Sequence, residues 1–205
     1  MCTRFYVEPD NEEIREIIAE VQKSMLSGKF IKAGNAILTS GEIRPTNVVP
    51  VIAPSRDGKQ AVFPMKWGFQ IPGRSLVVNA RTETAAEKPT FKESWAKHRC
   101  IIPASWYYEW EHLVRNYGQK KSGDKYMIQP KNSQATWLCG LYRMENELPV
   151  FTVLTREPTE ELRRIHDRMP LILPKELIPE WISPDAKPEK LLQHALTDMI
   201  AEKAG

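Results

Sequence analysis

One turn constrains the fold before anything else does. Asp57-Gly58 stands between two β-rich runs, residues 47–53 and 60–67. That dipeptide supplies the left-handed backbone a tight hairpin needs, so the two runs are predicted to pair antiparallel. Further β-rich runs follow at 76–80, 99–102, 106–110, 125–129, 136–142 and 149–155. Sixteen prolines against ten glycines cut the chain into short elements, which argues against a helical bundle. Helical periodicity lies outside these runs. Asp10 and Glu13 have capping-box spacing, Ile14, Ile17, Ile18, Val21 and Met25 share a face, and Gly28 is a suitable stop before a linker over 29–42. Short helices are expected over 91–97, 159–166 and 176–181. A longer one is expected over 188–203, where Leu191, Leu192, Ala195, Leu196, Met199 and Ile200 fall on one face. Residues 111–123, with Arg115, Lys120 and Lys121, read as a solvated hairpin loop. This order predicts an α+β fold with antiparallel or mixed strands, in one domain spanning residues 1–205.

Composition excludes some function classes. No apolar run approaches the ~20 residues needed to cross a bilayer, and the N-terminus lacks the regions of a signal peptide. A cytoplasmic protein without a membrane partner is expected. The three cysteines, Cys2, Cys100 and Cys139, are far apart and form neither a CxxC motif nor a zinc quartet. Reduced thiols are expected, with no metal and no cofactor. A net charge of +3 permits a nucleic-acid partner without requiring one.

Four places carry candidate chemistry. Cys2 follows the initiator Met, and its small side chain is of the kind that permits Met removal. Removal would put a free α-amine and a thiol on adjacent carbons. The amine condenses with an aldehyde to a Schiff base, and the thiol closes on the same carbon to a thiazolidine. The alternative is that position 2 merely happens to be Cys. Asn79-Ala80-Arg81 follows the apolar run Leu76-Val77-Val78, where polar groups suit either a site or an ordinary loop. In Trp106-Tyr107-Tyr108-Glu109-Trp110, Glu109 is either desolvated, which raises its pKa and suits proton transfer, or turned to solvent by strand alternation. Of the four histidines, His166 alone falls at a helix-to-strand junction between charged residues and Pro170, whereas His112 reads as part of a polar loop.

Cys2 with Arg4-Phe5, Asn79-Ala80-Arg81-x-Glu83-Thr84, Tyr108-Glu109-Trp110 and Ile165-His166-Asp167-Arg168-Met169-Pro170 occur in one order. That set resembles the SRAP family, the SOS-response-associated peptidases, over residues 2–182. Residues 183–205 form the expected C-terminal helix beyond the motifs. The resemblance implies a single α+β domain with a strongly curved, barrel-like antiparallel or mixed sheet and peripheral helices. It also implies binding of single-stranded DNA and covalent capture of abasic sites through Cys2, which shields the lesion. No obligatory protein partner is evident, and the location would be cytoplasmic, at the nucleoid when DNA is bound.

By motif match, Cys2 would be the nucleophile and Asn79 would position its amine and the sugar. Glu109 would move protons during Schiff-base formation and ring closure. His166 would act as acid or base in sugar opening or in reversal of the link. Arg4, Arg81 and Arg168 would bind phosphates, with Thr155 as a further contact. Trp67 and Trp106 are candidates for base stacking, with core packing as the alternative for each. Three positions depart from the family pattern: Thr3 in place of Gly, Glu42 where the family has Asn, and Arg74-Ser75 in a loop that carries aromatics elsewhere. Two other functions remain compatible with the sequence. One is an N-terminal-Cys amidohydrolase or peptidase, including self-cleavage, and the other is a passive single-strand-binding module.

Overall fold

A computed structural model describes residues 2–114 and 120–204. In chain order the strands are β1 (Arg4–Val7), β2 (Gly41–Ile43), β3 (Val48–Pro54), β4 (Gln60–Trp67), β5 (Asn79–Arg81), β6 (Arg99–Ala104), β7 (Trp106–Val114), β8 (Lys120–Pro130), β9 (Thr136–Glu145), β10 (Leu148–Arg156), β11 (Met169–Pro170) and β12 (Met199–Lys203). The helices are α1 (Glu12–Val21), α2 (Met25–Lys32), α3 (Thr82–Ala85), α4 (Lys92–Lys97), α5 (Glu160–Arg163), α6 (Ile178–Ile182) and α7 (Pro188–Leu191).

The Asp57-Gly58 hairpin forms as the sequence predicts, with β3 and β4 antiparallel from Val48↔Lys66 to Pro54↔Gln60. It seeds a closed barrel. β4 pairs β10, β10 pairs β9, β9 pairs β6, and β6 returns to β3. Closure demands a tight approach at Gly140 on β9. A Cβ there would lie 2.6 Å from Ile102 and 2.9 Å from the Thr152 carbonyl oxygen, so only glycine fits. The β10–β4 and β10–β5 pairings are parallel, which makes the architecture mixed.

A second sheet, in the order β12-β8-β7-β1-β2, lies against this barrel. The chain passes from barrel to sheet at buried Ser105, whose N–H donates to Tyr6 O and whose hydroxyl accepts from Glu8 N–H. The inward face of β1 completes a common core. Phe5 packs on Trp67 with ring centroids 5.3 Å apart, and Trp67 stacks on Phe151. Both sheets therefore share one hydrophobic cluster, as a single α+β domain requires.

Several expected boundaries are corrected. Asn11, not Asp10, caps α1, its carboxamide accepting from Glu13 N–H. Gly28 lies inside α2 rather than ending the first helix. The run 76–80 does not form one strand: Val77 makes an isolated bridge to Phe69, and β5 begins at Asn79. The expected loop over 111–123 is largely strand on both arms, and the part carrying Arg115 lies outside the described residues. The expected helix over 188–203 stops at α7 and a 3-10 turn, and β12 then pairs antiparallel with β8 from Met199↔Pro130 to Lys203↔Tyr126. Backbone groups along the outer edge of β8 need partners, and this demand outweighs a helical stripe that lacks a strong cap.

Candidate functional site

Cys2 lies two residues before the start of β1 and is fully inside the protein. The Asn79 carboxamide donates through Nδ2 to Cys2 O at 2.9 Å, across 77 positions of sequence. Asn79 belongs to β5 itself, held in parallel register with Val153 of β10, so its direction is fixed by the barrel. Its Oδ1 is buried with no hydrogen-bond partner among the described residues. A buried acceptor left unpaired costs stability, and such an atom beside Cys2 is poised for an incoming donor.

The two readings of Glu109 are resolved by β7. Tyr107 and Glu109 point inward while Trp106 and Trp110 stay half-buried on the outer face, and Glu109 is only 3% exposed. Burial, above all, pushes its carboxyl up to about 7. The Cys2 thiol is raised well above its ordinary value, first by burial and then by the charge of Glu109. The Tyr107 phenol is raised by burial, with Cys2 and Glu109 adding to it. Thiol, phenol and carboxyl thus lie within electrostatic reach of one another. In this chain, which carries Met1, the thiol is protonated and shielded.

His166 approaches from the segment between α5 and β11. Its Nε2 lies 3.8 Å from Glu109 Oε2, and both side chains are buried. Arg168 N–H donates to His166 Nδ1 at 3.0 Å, so the neutral ring carries its proton on Nε2, facing Glu109. Asp167 Oδ1 lies 2.9 Å from the same Nδ1 and would hold a proton there once the ring charges. Burial, with positive neighbours that include His112, lowers the His166 pKa to about 4.

The expected DNA contacts divide. Arg4 is half-buried, its Nε 3.1 Å from Glu42, and one of its terminal nitrogens donates to Thr3 O at 3.0 Å. Arg81 is exposed and forms no ion pair among the described residues. Trp106 is half-buried on the outer face and stacked on Tyr6 at 4.7 Å. Trp67, expected to stack on a base, is instead wholly inside the core, with its indole N–H donating to Val78 O. Thr155 is also buried and its hydroxyl donates to Ala80 O. Arg168 does not reach outward as a phosphate ligand. Its guanidinium grips both oxygens of Glu83 at 2.8 Å and donates to Thr155 O, so it braces the His166 segment against α3 and β10.

Glu42 gathers cations rather than contacting DNA as an amide would. It pairs with Arg4, Arg44 and Lys125, the last at 2.8 Å, and the Lys125 hydrogen bond first, then Arg44, lowers its pKa. Lys125 also sits 3.7 Å from the centre of the Tyr108 ring and 5.5 Å from that of Trp110. Register aligns these groups. Arg4 faces Tyr108, Tyr6 faces both Trp106 and Glu42, and Trp110 faces Lys125. The outer face of the sheet therefore interleaves aromatic rings with positive charge. Sequence reasoning missed Lys125 in this role, although its pairing with Trp110 was implicit in the two strands.

His112 was also missed, because it read as loop. It lies on β7, with its ring centroid 4.0 Å from that of His166. Pairing with β8 slips between Trp110 and His112, so one residue of β7, Glu111, stands opposite two of β8. His112 N–H donates instead to Ile165 O at 3.0 Å. Such an irregularity raises local twist and re-aims side chains. Clefts of about 470 and 670 Å³ open elsewhere, beside Lys131 and Asp198 and beside Ile31 and Ile37, and no site residue lines them.

One nitrogen each of His112 and His166 and one oxygen of Asp167 lie within 4.8 Å of one another, a spacing compatible with a metal ion. His166 Nδ1 already accepts from Arg168 N–H, however, and its Nε2 faces Glu109. That arrangement suits proton transfer better than ligation.

The closed barrel and the sheet beside it thus bring Cys2, Asn79, Glu109 and His166 together. The sequence matches the family "SOS response associated peptidase (SRAP)" over residues 1–204, and the chain belongs to that family. Among its relatives, the "abasic site processing protein YobE" of Bacillus subtilis is 34% identical over 181 residues, covering 80% of each chain. The "abasic site processing protein YedK" of Escherichia coli is 31% identical over 150 residues, 66% of this chain and 63% of that one. Two solved structures share the fold. One, from Bacteroides thetaiotaomicron, has a TM-score of 0.73 at 21% identity, covering 100% of this chain and 92% of that one. The other, a phage-related protein of Bordetella bronchiseptica, has a TM-score of 0.72 at 22% identity, covering 99% and 94%.

Proposed function

We propose that this chain processes abasic sites by capturing them in single-stranded DNA through Cys2, once Met1 has been removed. The observation that carries this reading is the convergence on Cys2. Asn79 holds its carbonyl at 2.9 Å, the charge of Glu109 is felt at its thiol, and His166 stands 3.8 Å from Glu109. The names of the relatives support the same lesion as target.

The chemistry follows from these groups. The abasic deoxyribose is mostly a closed hemiacetal, and opening it requires a proton on the ring oxygen. Glu109, whose carboxyl at about 7 is still partly protonated at neutral pH, is the donor that fits, with the neutral His166 3.8 Å from it. The Cys2 amine then adds to the aldehyde carbon, and the carbinolamine loses water to leave an imine. Glu109, with its carboxyl at about 7, populates both acid and base forms near neutrality and serves both steps. Finally the thiol sulfur bonds to the imine carbon and its proton passes to nitrogen. One aldehyde and one cysteine become one thiazolidine and one water. Asn79 Oδ1, buried and without a hydrogen-bond partner among the described residues, accepts from the ammonium or from a sugar hydroxyl.

The outer sheet face supports single-stranded DNA as the form bound. The half-buried rings of Trp106 and Trp110 share this sheet with Arg4 and Lys125, and Arg44 follows at its edge, which suits exposed bases and a flexible backbone better than a stacked duplex. Met-processed protein incubated with single-stranded DNA bearing one abasic site should give one adduct that survives denaturation, with the intact mass of protein plus DNA less one water. Cys2→Ala should give none, and Cys2→Ser should give only an adduct trapped by borohydride. An equal yield from Cys2→Ala refutes the proposal. Turnover of an amide without an adduct would favour the hydrolase, and salt-sensitive binding indifferent to the lesion would favour a passive module.

A further inference from the structure

We propose that the Tyr107 hydroxyl is a further catalytic group, donating a hydrogen bond to the Cys2 sulfur while the thiazolidine ring closes. The inference rests on the capture reading and concerns its last step. Tyr107 is wholly buried and faces inward from β7, and its hydroxyl has no hydrogen-bond partner among the described residues. A phenylalanine would fill the same space without burying a polar atom, so packing does not account for the oxygen. A donor orphaned in this way is kept for a partner that arrives with the reaction.

The strands place that partner. Cys2 Sγ lies 3.8 Å from Arg4 O, with its S–H donating along β1. Arg4 stands opposite Tyr108 of β7, and the inward residues on either side of Tyr108 are Tyr107 and Glu109. The sulfur is thus brought to the stretch of β7 that carries the phenol and the carboxyl. Electrostatics agree, because after burial the charge of Cys2 acts on the phenol ahead of that of Glu109. Burial also keeps the phenol protonated near neutral pH, as a donor must be.

Ring closure needs such a donor. The Cys2 S–H bond breaks and its proton goes to the Glu109 carboxylate. A sulfur electron pair bonds to the imine carbon, the C=N pair retires to nitrogen, and nitrogen takes the proton from Glu109. Tyr107 keeps its own proton throughout. While that proton is away, sulfur carries negative charge in a site whose burial disfavours it, and the phenol O–H stabilises that charge. A hydrogen bond to an ionised group raises the thiolate population by roughly 10- to 100-fold. About half of that factor, on a logarithmic scale, is offset by lower nucleophilicity, which leaves about three- to tenfold in the rate of closure.

The experiment follows Met-processed wild type and Tyr107→Phe on single-stranded DNA with one abasic site. Samples are quenched at intervals with borohydride, which fixes the imine, and the denatured adduct is then alkylated. A fixed imine retains Cys2, Cys100 and Cys139 as reactive thiols, whereas a thiazolidine leaves only the last two. Tyr107→Phe should form the imine at the wild-type rate and convert it about three- to tenfold more slowly, with a urea midpoint no lower than that of wild type. Combined with Cys2→Ser, which has no sulfur to stabilise, it should leave borohydride trapping unchanged. Conversion at the wild-type rate in Tyr107→Phe overturns the inference. So does a loss of trapping in the Cys2→Ser background, which would place the hydroxyl on the lesion's oxygen instead. A wild type that forms no adduct overturns the capture reading itself, a result distinct from two proteins that close alike.

Discussion

Glu109→Gln tests whether the site is held at a cost to the fold. A carboxyl with an ordinary value of 4.5 stands at about 7 in the folded chain, with burial as the largest cause. Below about pH 4.5 the group is protonated in both folded and unfolded chains and contributes nothing to the pH dependence. As pH rises the unfolded chain ionises first, so stability falls, and the fall is complete just above pH 7. At about 1.4 kcal/mol per pH unit the full penalty is roughly 3 kcal/mol. Gln cannot ionise and escapes it. Urea unfolding of the Met1-bearing chain and its Glu109→Gln variant should therefore show a free-energy difference that shifts by roughly 3 kcal/mol in favour of the variant between about pH 4.5 and pH 8. Any hydrogen bonds that Gln gains or loses add a constant offset and do not affect that shift. The same substitution in processed protein should slow crosslinking by about 10² or more, since it removes a group that gives and takes protons. A difference in stability that stays constant between the two pH values would refute the reasoning, because it would mean that Glu109 is solvated.

Arg99 is completely buried and donates to the carbonyls of Trp95, Ala96, Trp181 and Ser183, tying α4 and α6 to β6. Arg99→Met strands those acceptors and should cost about 3–5 kcal/mol by urea unfolding, with a loss below 1 kcal/mol counting against this role. Removing Met1 should expose one thiol to a soluble thiol reagent, whereas the Met1-bearing chain should show none until unfolded, because Cys2, Cys100 and Cys139 are all buried. Equal labelling of the two forms would contradict shielding. Glu42→Gln should release a cation to phosphate, steepening the salt dependence of single-strand binding by about 0.7 in the log–log slope, and an unchanged slope would show that Glu42 does not compete with DNA. Arg168→Lys loses the two-pronged grip on Glu83 and should lower the crosslinking rate while leaving strand affinity near wild type. A fall in affinity alone would return Arg168 to the role of phosphate ligand.

Much of the scaffold was legible in the chain because its signals are local. The Asp57-Gly58 hairpin, the α1 stripe from Ile14 to Val21 and most strands of the second half lie where periodicity and turn chemistry put them, whereas Met25, expected on that stripe, opens α2 and is 93% exposed. The C-terminal run failed for the opposite reason. Met199 and Ile200 fit a helical face, but the partner that decided their conformation was β8, some seventy residues earlier in the chain. The same limit applied to individual side chains. Trp67 and Thr155 carry groups that suit DNA, and only the packing of β1 and β10 around them revealed that neither meets solvent. His112 read as loop because a register slip between two strands leaves no mark in either strand's own pattern.

By itself, the sequence determined the chemical repertoire: an N-terminal amine and thiol that exist together only after Met1 leaves, an amide, a carboxyl and an imidazole, each embedded in a short recognisable motif. Their identities are local facts, and so was the alternation that offered two states for Glu109. The tertiary structure decided which state holds and what each group can do. Folding β7 inward desolvates Glu109, parallel pairing of β5 with β10 aims Asn79 at Cys2, and the segment after α5 sets the proton of His166 on Nε2. Desolvation and direction arise only when residues far apart in the chain are packed together, which is why pKa and geometry could not be read from spacing alone.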